Sequence, residues 1–369
     1  MDVLLTILAA VVVLGFLVFI HEGGHFVTAR AFGVRVSEFM IGLPGPHIGV
    51  QRGETEFGVT AILLGGYARV CGMEPGEMSP YLKAAMTSVY ARGTALMEDV
   101  ARDCGITDDE AYEALEELVE WGTIKGPRKT DEFNVYRVPE RKPTAWQRRR
   151  AERRGRKPFD TLIEGQPHSL SDPDAFFQSE YRQQYRSLPT WKRMVILLAG
   201  PGVNLLFAMI AFVLIYSVIG FDYQNTQSGE VFHVTVEPWR AIQAGFVYIG
   251  MVVQAVAGLF NPQTVAETVS NSTSVVGIAV LSKSAFEAGF TELLSFMAML
   301  SVSLGIMNLL PIPPLDGGRF VVEAYQRIRR KMVGARAMNY LSVAGMALFM
   351  LLFIVMMNQD IQRFIFGNW

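Results

Sequence analysis

Four long apolar runs break an otherwise mixed chain, at about 3–27, 194–220, 290–310 and 340–357. Each is long enough to cross a bilayer as a helix. The first could pass for a secretory leader, but it starts with Asp2, carries no Lys or Arg there, and is followed by no small-residue cleavage site. A retained membrane helix is expected. Between the first two runs the period changes. Val34–Phe39, Ile48–Gln51, Thr55–Val59 and Tyr67–Val70 alternate as strands, punctuated by Gly42, Pro44, Gly45, Pro46, Gly53, Gly65 and Gly66. From residue 74 the chain turns polar. Thr107 followed by Asp108, Asp109 and Glu110 predicts a capped helix, and Tyr112, Leu115, Leu118 and Val119 recur on one face of it. Two short strand-like pieces follow, 122–125 and 133–138, with a polar turn between them.

Composition fits a polytopic membrane protein with a soluble insert: half the residues are hydrophobic and mean hydropathy is +0.26. A formal charge of −2 hides an asymmetry. The stretch from Arg30 to Arg193 holds 24 of the 33 basic residues, whereas only Arg240 and Lys283 lie between the second and third runs. Arg319, Arg327, Arg329, Arg330, Lys331 and Arg336 follow the third run and Arg363 alone lies in the tail. Positive charge stays on the cytoplasmic side, so both termini are expected outside and the large insert in the cytoplasm. Cys71 and Cys104 then lie in a reducing compartment, far from the histidine pair and without C-x-x-C spacing. Reduced thiols are expected.

The chemistry concentrates in two places. The first apolar run ends in His21-Glu22-Gly23-Gly24-His25, an H-E-x-x-H pattern that uses two of the five histidines. On a helix His21 and His25 share a face and can bind one Zn²⁺, while Glu22 can act as general base on a water the metal activates. Such a pattern arises by chance, but ionisable groups at membrane depth are costly and point to function. The third run ends in Asn308-Leu309-Leu310-Pro311-Ile312-Pro313-Pro314-Leu315-Asp316-Gly317-Gly318. Its prolines forbid regular helix before Asp316 and leave backbone groups free for other partners. Asp316 alone reads equally well as a helix cap or as a third metal ligand; beside an H-E-x-x-H pattern the ligand reading leads.

These two motifs, with Ala199-Gly-Pro-Gly-Val-Asn204 in the second run, resemble the site-2 protease family of intramembrane zinc metalloproteases. The likeness covers roughly residues 1–75 and 185–355, and the bacterial regulated-intramembrane-proteolysis branch fits best. The resemblance implies Zn²⁺ on His21, His25 and Asp316, Glu22 as the catalytic base, and Asn204, Asn308, Pro311 and Pro313 as substrate-binding positions. It also implies that the sheet beside the site offers an edge to an extended substrate. Substrates would be single-span membrane proteins such as anti-sigma factors, or remnant signal peptides. Many relatives carry PDZ domains outside the membrane; residues 221–289 show no glycine-rich carboxylate-binding loop and are too few for a PDZ domain plus the connecting helices. Phe232–Val236 reads there as a lone strand, and 241–260 as a surface or partly inserted helix, since a fifth span would invert the basic 319–336 loop. His47, His168 and His233 read as structural.

The expected fold is a polytopic α-helical membrane protein with four transmembrane helices, a membrane-associated β-hairpin or sheet, and a cytoplasmic α+β winged-helix-like insert. Its divisions are 1–32 with the first span, 33–73 the β region, 74–140 the insert, 141–190 a basic linker, and 191–220 the second span. Beyond these come 221–289 outside the membrane, 290–318 the third span, and 319–369 the basic loop and fourth span. A winged helix commonly binds DNA, but the helix at 108–120 carries seven acids and no base and would repel phosphates. A cytoplasmic protein or peptide ligand is expected instead, and nucleic acid is not. The run from Arg141 to Lys157 reads as a solvated linker touching anionic lipid of the bacterial plasma membrane. The rival from another class is a catalytically silent membrane adaptor that binds a partner through its insert. All four zinc-site positions being intact weighs against it, and a transporter is disfavoured by the absence of internal repeats.

Overall fold

The computed structural model describes residues 2–365 apart from 64, 75, 129, 132, 143–147, 150, 151, 154–160, 225–229 and 332. Helix α1 (Asp2–Ala31) leads into strands β1 (Val36–Ile41), β2 (His47–Arg52), β3 (Thr55–Thr60) and β4 (Gly66–Val70). The insert holds α2 (Leu82–Arg92), β5 (Thr94–Leu96), α3 (Met97–Cys104), α4 (Asp108–Glu120), β6 (Val135–Arg137) and α5 (Pro173–Tyr181). Helix α6 (Thr190–Val213) continues as a π-helical segment to Ile219 and is followed by β7 (Phe221–Gln224) and β8 (Val231–Val234). The rest is helical: α7 (Pro238–Gly258), α8 (Val265–Asn271), α9 (Val275–Ala288), α10 (Phe290–Asn308), α11 (Asp316–Arg329) and α12 (Ala335–Asp360).

The four expected spans correspond to α1, α6 with its π-helical extension, α10 and α12. A fifth helix, α7, is also long and apolar enough to cross a membrane. It is a regular helix packed through Tyr248, Ile249 and Val252 onto Phe212 of α6 and Val302 of α10. Helix α6 is the centre of the bundle, flanked by α1, α10, α7 and α11. Outward apolar side chains such as Leu4, Leu8 and Val12 on α1, and Val343, Leu351 and Ile354 on α12, stay uncovered by protein, as lipid-facing positions would.

The four strands predicted between Val34 and Val70 all form, within two residues of their expected ends. The sheet order is β2-β3-β1-β4, with β1 parallel to β3 and the other pairs antiparallel, so β4 is an edge. Aromatic contacts dock the sheet on α1: Phe26 meets Phe39 and Phe57 with ring centroids 5.4 and 5.5 Å apart, and Phe19 meets Phe39 at 5.6 Å. That docking brings β4 beside the H-E-x-x-H turn.

The insert differs from expectation in two ways. Strand β6 pairs with β5, which sequence periodicity missed because three residues carry no pattern; the 122–125 piece contributes only the bridge from Lys125 to Arg137. The boundary at 141 also moves. Arg141 is buried rather than solvated, and Leu162 and α5, placed in the expected linker, fold onto the core around Trp121, Leu115 and Tyr90 through Phe176, Phe177 and Tyr181. Much of the basic run between lies outside the described residues. The stretch Phe232–Val236, expected as a lone strand, instead contributes to β8, which pairs with β7, and His233 bonds to Asp222 and to the Ile219 carbonyl.

A buried charge cluster joins insert to sheet. Arg35 donates to Glu180 at 2.7 and 3.1 Å and to Glu54 at 2.9 Å, while Arg141 donates to Glu180 at 2.9 and 3.1 Å. The same guanidinium groups cap the carbonyls of Trp121 and Gly122 at the end of α4. Burial alone would raise the Glu180 pKa, but Arg141 and Arg35 outweigh it and hold the carboxyl well below its usual range.

Candidate active site

His21 and His25 stand one turn apart near the end of α1 and are both buried. Asp316 is the first residue of α11, directly after the proline-broken stretch 309–315 in which no regular helix forms. A side chain at Gly317 would collide with the Leu309 carbonyl, so the turn that aims Asp316 can close only over glycine. Oδ2 of Asp316 lies 3.2 Å from Nε2 of His21 and 3.2 Å from Nε2 of His25, and the two nitrogens are 3.4 Å apart. A tetrahedral zinc with ligands at roughly 2.0–2.1 Å sets its ligand atoms about 3.3–3.4 Å from one another. Two imidazoles and one carboxylate converging at that spacing fit zinc by both distance and donor chemistry. Among the described residues these three form the one such cluster of potential ligands.

The nitrogens away from the centre are held as ligand imidazoles need to be. His25 donates from Nδ1 to the Ile196 carbonyl at 2.8 Å, which leaves Nε2 with its lone pair inward. Nδ1 of His21 lies 3.2 Å from the side-chain amide of Asn204, a fully buried residue of α6 whose Oδ1 has no other partner among the described residues. The amide orientation that turns Oδ1 to Nδ1–H satisfies both groups at once. Ser301 of α10 donates to the Asn204 carbonyl at 2.9 Å, tying the third helix to the same point.

Helices α1 and α6 approach closely here because glycine faces both ways. A Cβ on Gly24 would sit 2.5 Å from the Ala199 carbonyl oxygen, and one on Gly200 would run into the imidazole of His25. Gly24 between the histidines and Gly200 of α6 thus serve one contact; small residues inside an apolar run were the available signal for it.

Glu22 turns away from the ligand face toward the sheet. Its Oε2 accepts a hydrogen bond of 2.9 Å from the backbone N–H of Ala68 on edge strand β4. Sequence reasoning missed this partner, because no motif marks a backbone donor. The other candidate positions are placed less directly. Asn308 donates to the Leu304 carbonyl of its own helix at 3.0 Å, Pro311 is exposed, and Pro313 is buried against Gly318 and Gly345 of α12.

Known proteins resemble this chain over most of its length. The model of the family described as peptidase family M50 matches residues 9–352. A Bacillus subtilis protein named regulator of sigma-W protease RasP is 24% identical, with 97% of this chain and 98% of that one covered. A Geobacillus kaustophilus protein named zinc metalloprotease RasP is also 24% identical, with 98% and 99% covered.

Proposed function

The chain belongs to peptidase family M50, and on that footing we propose that His21, His25 and Asp316 hold its zinc and that Glu22 is its catalytic base. The protein is a membrane zinc metalloendopeptidase of the site-2 type, acting in regulated intramembrane proteolysis. The observation that carries the residue assignment is the 3.2, 3.2 and 3.4 Å triangle of ligand atoms with Glu22 next in sequence to one of them. Bound zinc supplies a lowered water pKa and polarisation of the scissile carbonyl. Glu22 takes the proton from the attacking water and returns it to the leaving amide nitrogen.

The free edge of β4 is where an extended substrate adds as a further strand. Hydrolysis needs the backbone unwound, and strand pairing both exposes and fixes it. The outward N–H of Ala68 is one of the donors such a strand would use, and Glu22 now occupies it. A substrate carbonyl that takes this N–H releases the Glu22 carboxylate for the water. Asn204 acts on His21 in this reading, while Asn308 stands one helical turn below Leu304 as the remaining polar candidate for the substrate backbone.

The Lys and Arg distribution supports four spans, both termini outside and the insert in the cytoplasm. Here α7 lies against the bundle without reversing the chain's sidedness. Single-span membrane proteins are the substrates, anti-sigma factors among them, in keeping with the name of the Bacillus relative. The order helix, strand, two helices and strand across α2–β6 supports a winged-helix-like insert.

The test is cleavage of a tagged single-span substrate by purified protein in liposomes. Glu22→Gln is expected to keep its zinc and lose cleavage, while Asp316→Ala loses both. Cleavage that persists in Glu22→Gln refutes the base assignment.

A further inference from the structure

A cleft of about 710 Å³ lies along edge strand β4, the strand whose Ala68 N–H is bonded to Glu22. Its inner wall is β4 at Tyr67, Ala68 and Arg69, and its other walls are α4 of the insert, the start of α6, and facing residues of α11 and α12. Ala68 belongs at once to this lining and to the hydrogen bond with Glu22. A polypeptide paired to β4 and leaving toward the insert must therefore run through the cleft.

The charges on its walls are not balanced. Three of the four arginines are already paired: Arg69 with Glu38, Arg186 with Glu117 and Arg193 with Glu323, at 3.1, 3.4 and 3.1 Å. The fourth, Arg319, donates to the sulfur of Met73 and has no anion within ion-pair distance among the described residues. On the acidic side Glu74, Glu116 and Glu120 have no cation within ion-pair distance among the described residues. Among the described residues Glu116 accepts only from the Tyr136 hydroxyl. Glu120 accepts from the N–H groups of Met73 and Glu74 through one oxygen, and its other oxygen is buried without a partner. Against one uncommitted guanidinium these three acids, Glu120 only partly ionised near neutral pH, leave a net negative channel, and two of the three belong to the insert's α4.

We propose that this cleft receives the Lys- and Arg-rich segment that flanks a substrate's membrane span, and that Glu74, Glu116 and Glu120 read its positive charge. The inference rests on the protease reading and on the cytoplasmic placement of the insert. Segments that flank a span on the cytoplasmic side are enriched in Lys and Arg in membrane proteins generally, so the occupant's charge complements the channel. The insert thereby forms part of the substrate path. Its acids impose selectivity on the portion of the substrate just past the scissile bond.

The test crosses enzyme and substrate charge with the full-length protein in liposomes. Two single-span substrates differ only in the cytoplasmic flank, four Lys in one and four Glu in the other. Wild type is expected to favour the Lys flank, mainly through KM, and the margin shrinks as salt screens it. The exposed double variant Glu74→Lys/Glu116→Lys should lose roughly three- to tenfold on the Lys flank and gain on the Glu flank. Glu120→Gln alone should narrow the preference without reversing it. Equal rates on both flanks by wild type, or an equal loss on both by the double variant, overturn the cleft proposal while leaving the protease standing. Failure of zinc-loaded wild type to cut either substrate removes the protease reading, and the cleft proposal with it.

Discussion

Two glycines of α6, two residues apart, should respond in opposite ways to the same added methyl. In Gly200→Ala the new Cβ runs into Nε2 of His25 and stands 2.8 Å from Nε2 of His21. Comfortable carbon–nitrogen contact needs about 3.5 Å, so the His21 ring must retreat by roughly 0.7 Å and the His25 ring by more, or α1 and α6 must part. Zinc ligation tolerates only about ±0.2 Å. The displacement is several times that tolerance, and the overpacking adds about 1–3 kcal/mol. In Gly202→Ala nothing lies within 4 Å of the new atom, and removing a helical glycine is worth up to about 1 kcal/mol. The assay is zinc per chain by elemental mass spectrometry, run beside thermal unfolding in detergent and cleavage of the model substrate. Gly200→Ala should lose most of its zinc and its activity, whereas Gly202→Ala should keep both and melt no lower than wild type. A Gly200→Ala protein with one zinc per chain and normal cleavage refutes the close α1–α6 crossing over the ligands.

Three further outcomes follow from the same contacts. Asn204→Leu should weaken zinc retention against a chelator by about 10- to 100-fold, the usual effect of losing a hydrogen bond that orients a ligand histidine. Asn204→Asp, which keeps an acceptor toward Nδ1 of His21, should restore much of it. Glu180→Ala leaves Arg35 and Arg141 buried without their shared anion, so it should destabilise the insert by about 3–5 kcal/mol, read as loss of hydrogen-exchange protection in α4. Burial and then the nearby Glu74 raise Glu120 from 4.5 to about 7. Between those values the folded chain holds a proton that the unfolded chain has released, so this group costs stability as pH rises through the window. Protection of α4 should fall from pH 5 to pH 8, and Glu120→Gln should flatten that profile.

The ligand set was legible because its chemistry is local in sequence at one end and marked by composition at the other. His21 and His25 are one helical turn apart, and Asp316 follows prolines that forbid a helix. The edge strand was legible too, since alternation from Val34 to Val70 is long enough to show period two. What sequence periodicity could not supply were partners with no residue type of their own. The Ala68 N–H on Glu22 and the Ile196 carbonyl on His25 are backbone groups, and any residue there would carry them. Arg141 failed for a different reason. It opens a run of basic residues, and charge density argues for solvent, yet one guanidinium of that run is drawn inside by Glu180, an anion 39 residues away. The short strand β5 failed through length, since three residues cannot display a period.

The manner of attachment of the insert bears on how it can act on the chemistry. Arg35 lies between α1 and β1; its N–H donates to the Gln183 carbonyl, and its own carbonyl accepts from Cys71 N–H. The Cys71 carbonyl in turn accepts from Tyr185 N–H. The end of β4 is thus clamped between the start of the sheet and the segment joining α5 to α6, while Glu180 of α5 is locked to the insert. A shift of the insert relative to the bundle must pull on Cys71, three residues from Ala68 and its bond to Glu22. A hinged domain would leave that bond undisturbed. A clamped one transmits strain to it, which makes hydrogen exchange at Ala68 the place where binding to the insert would register at the active site.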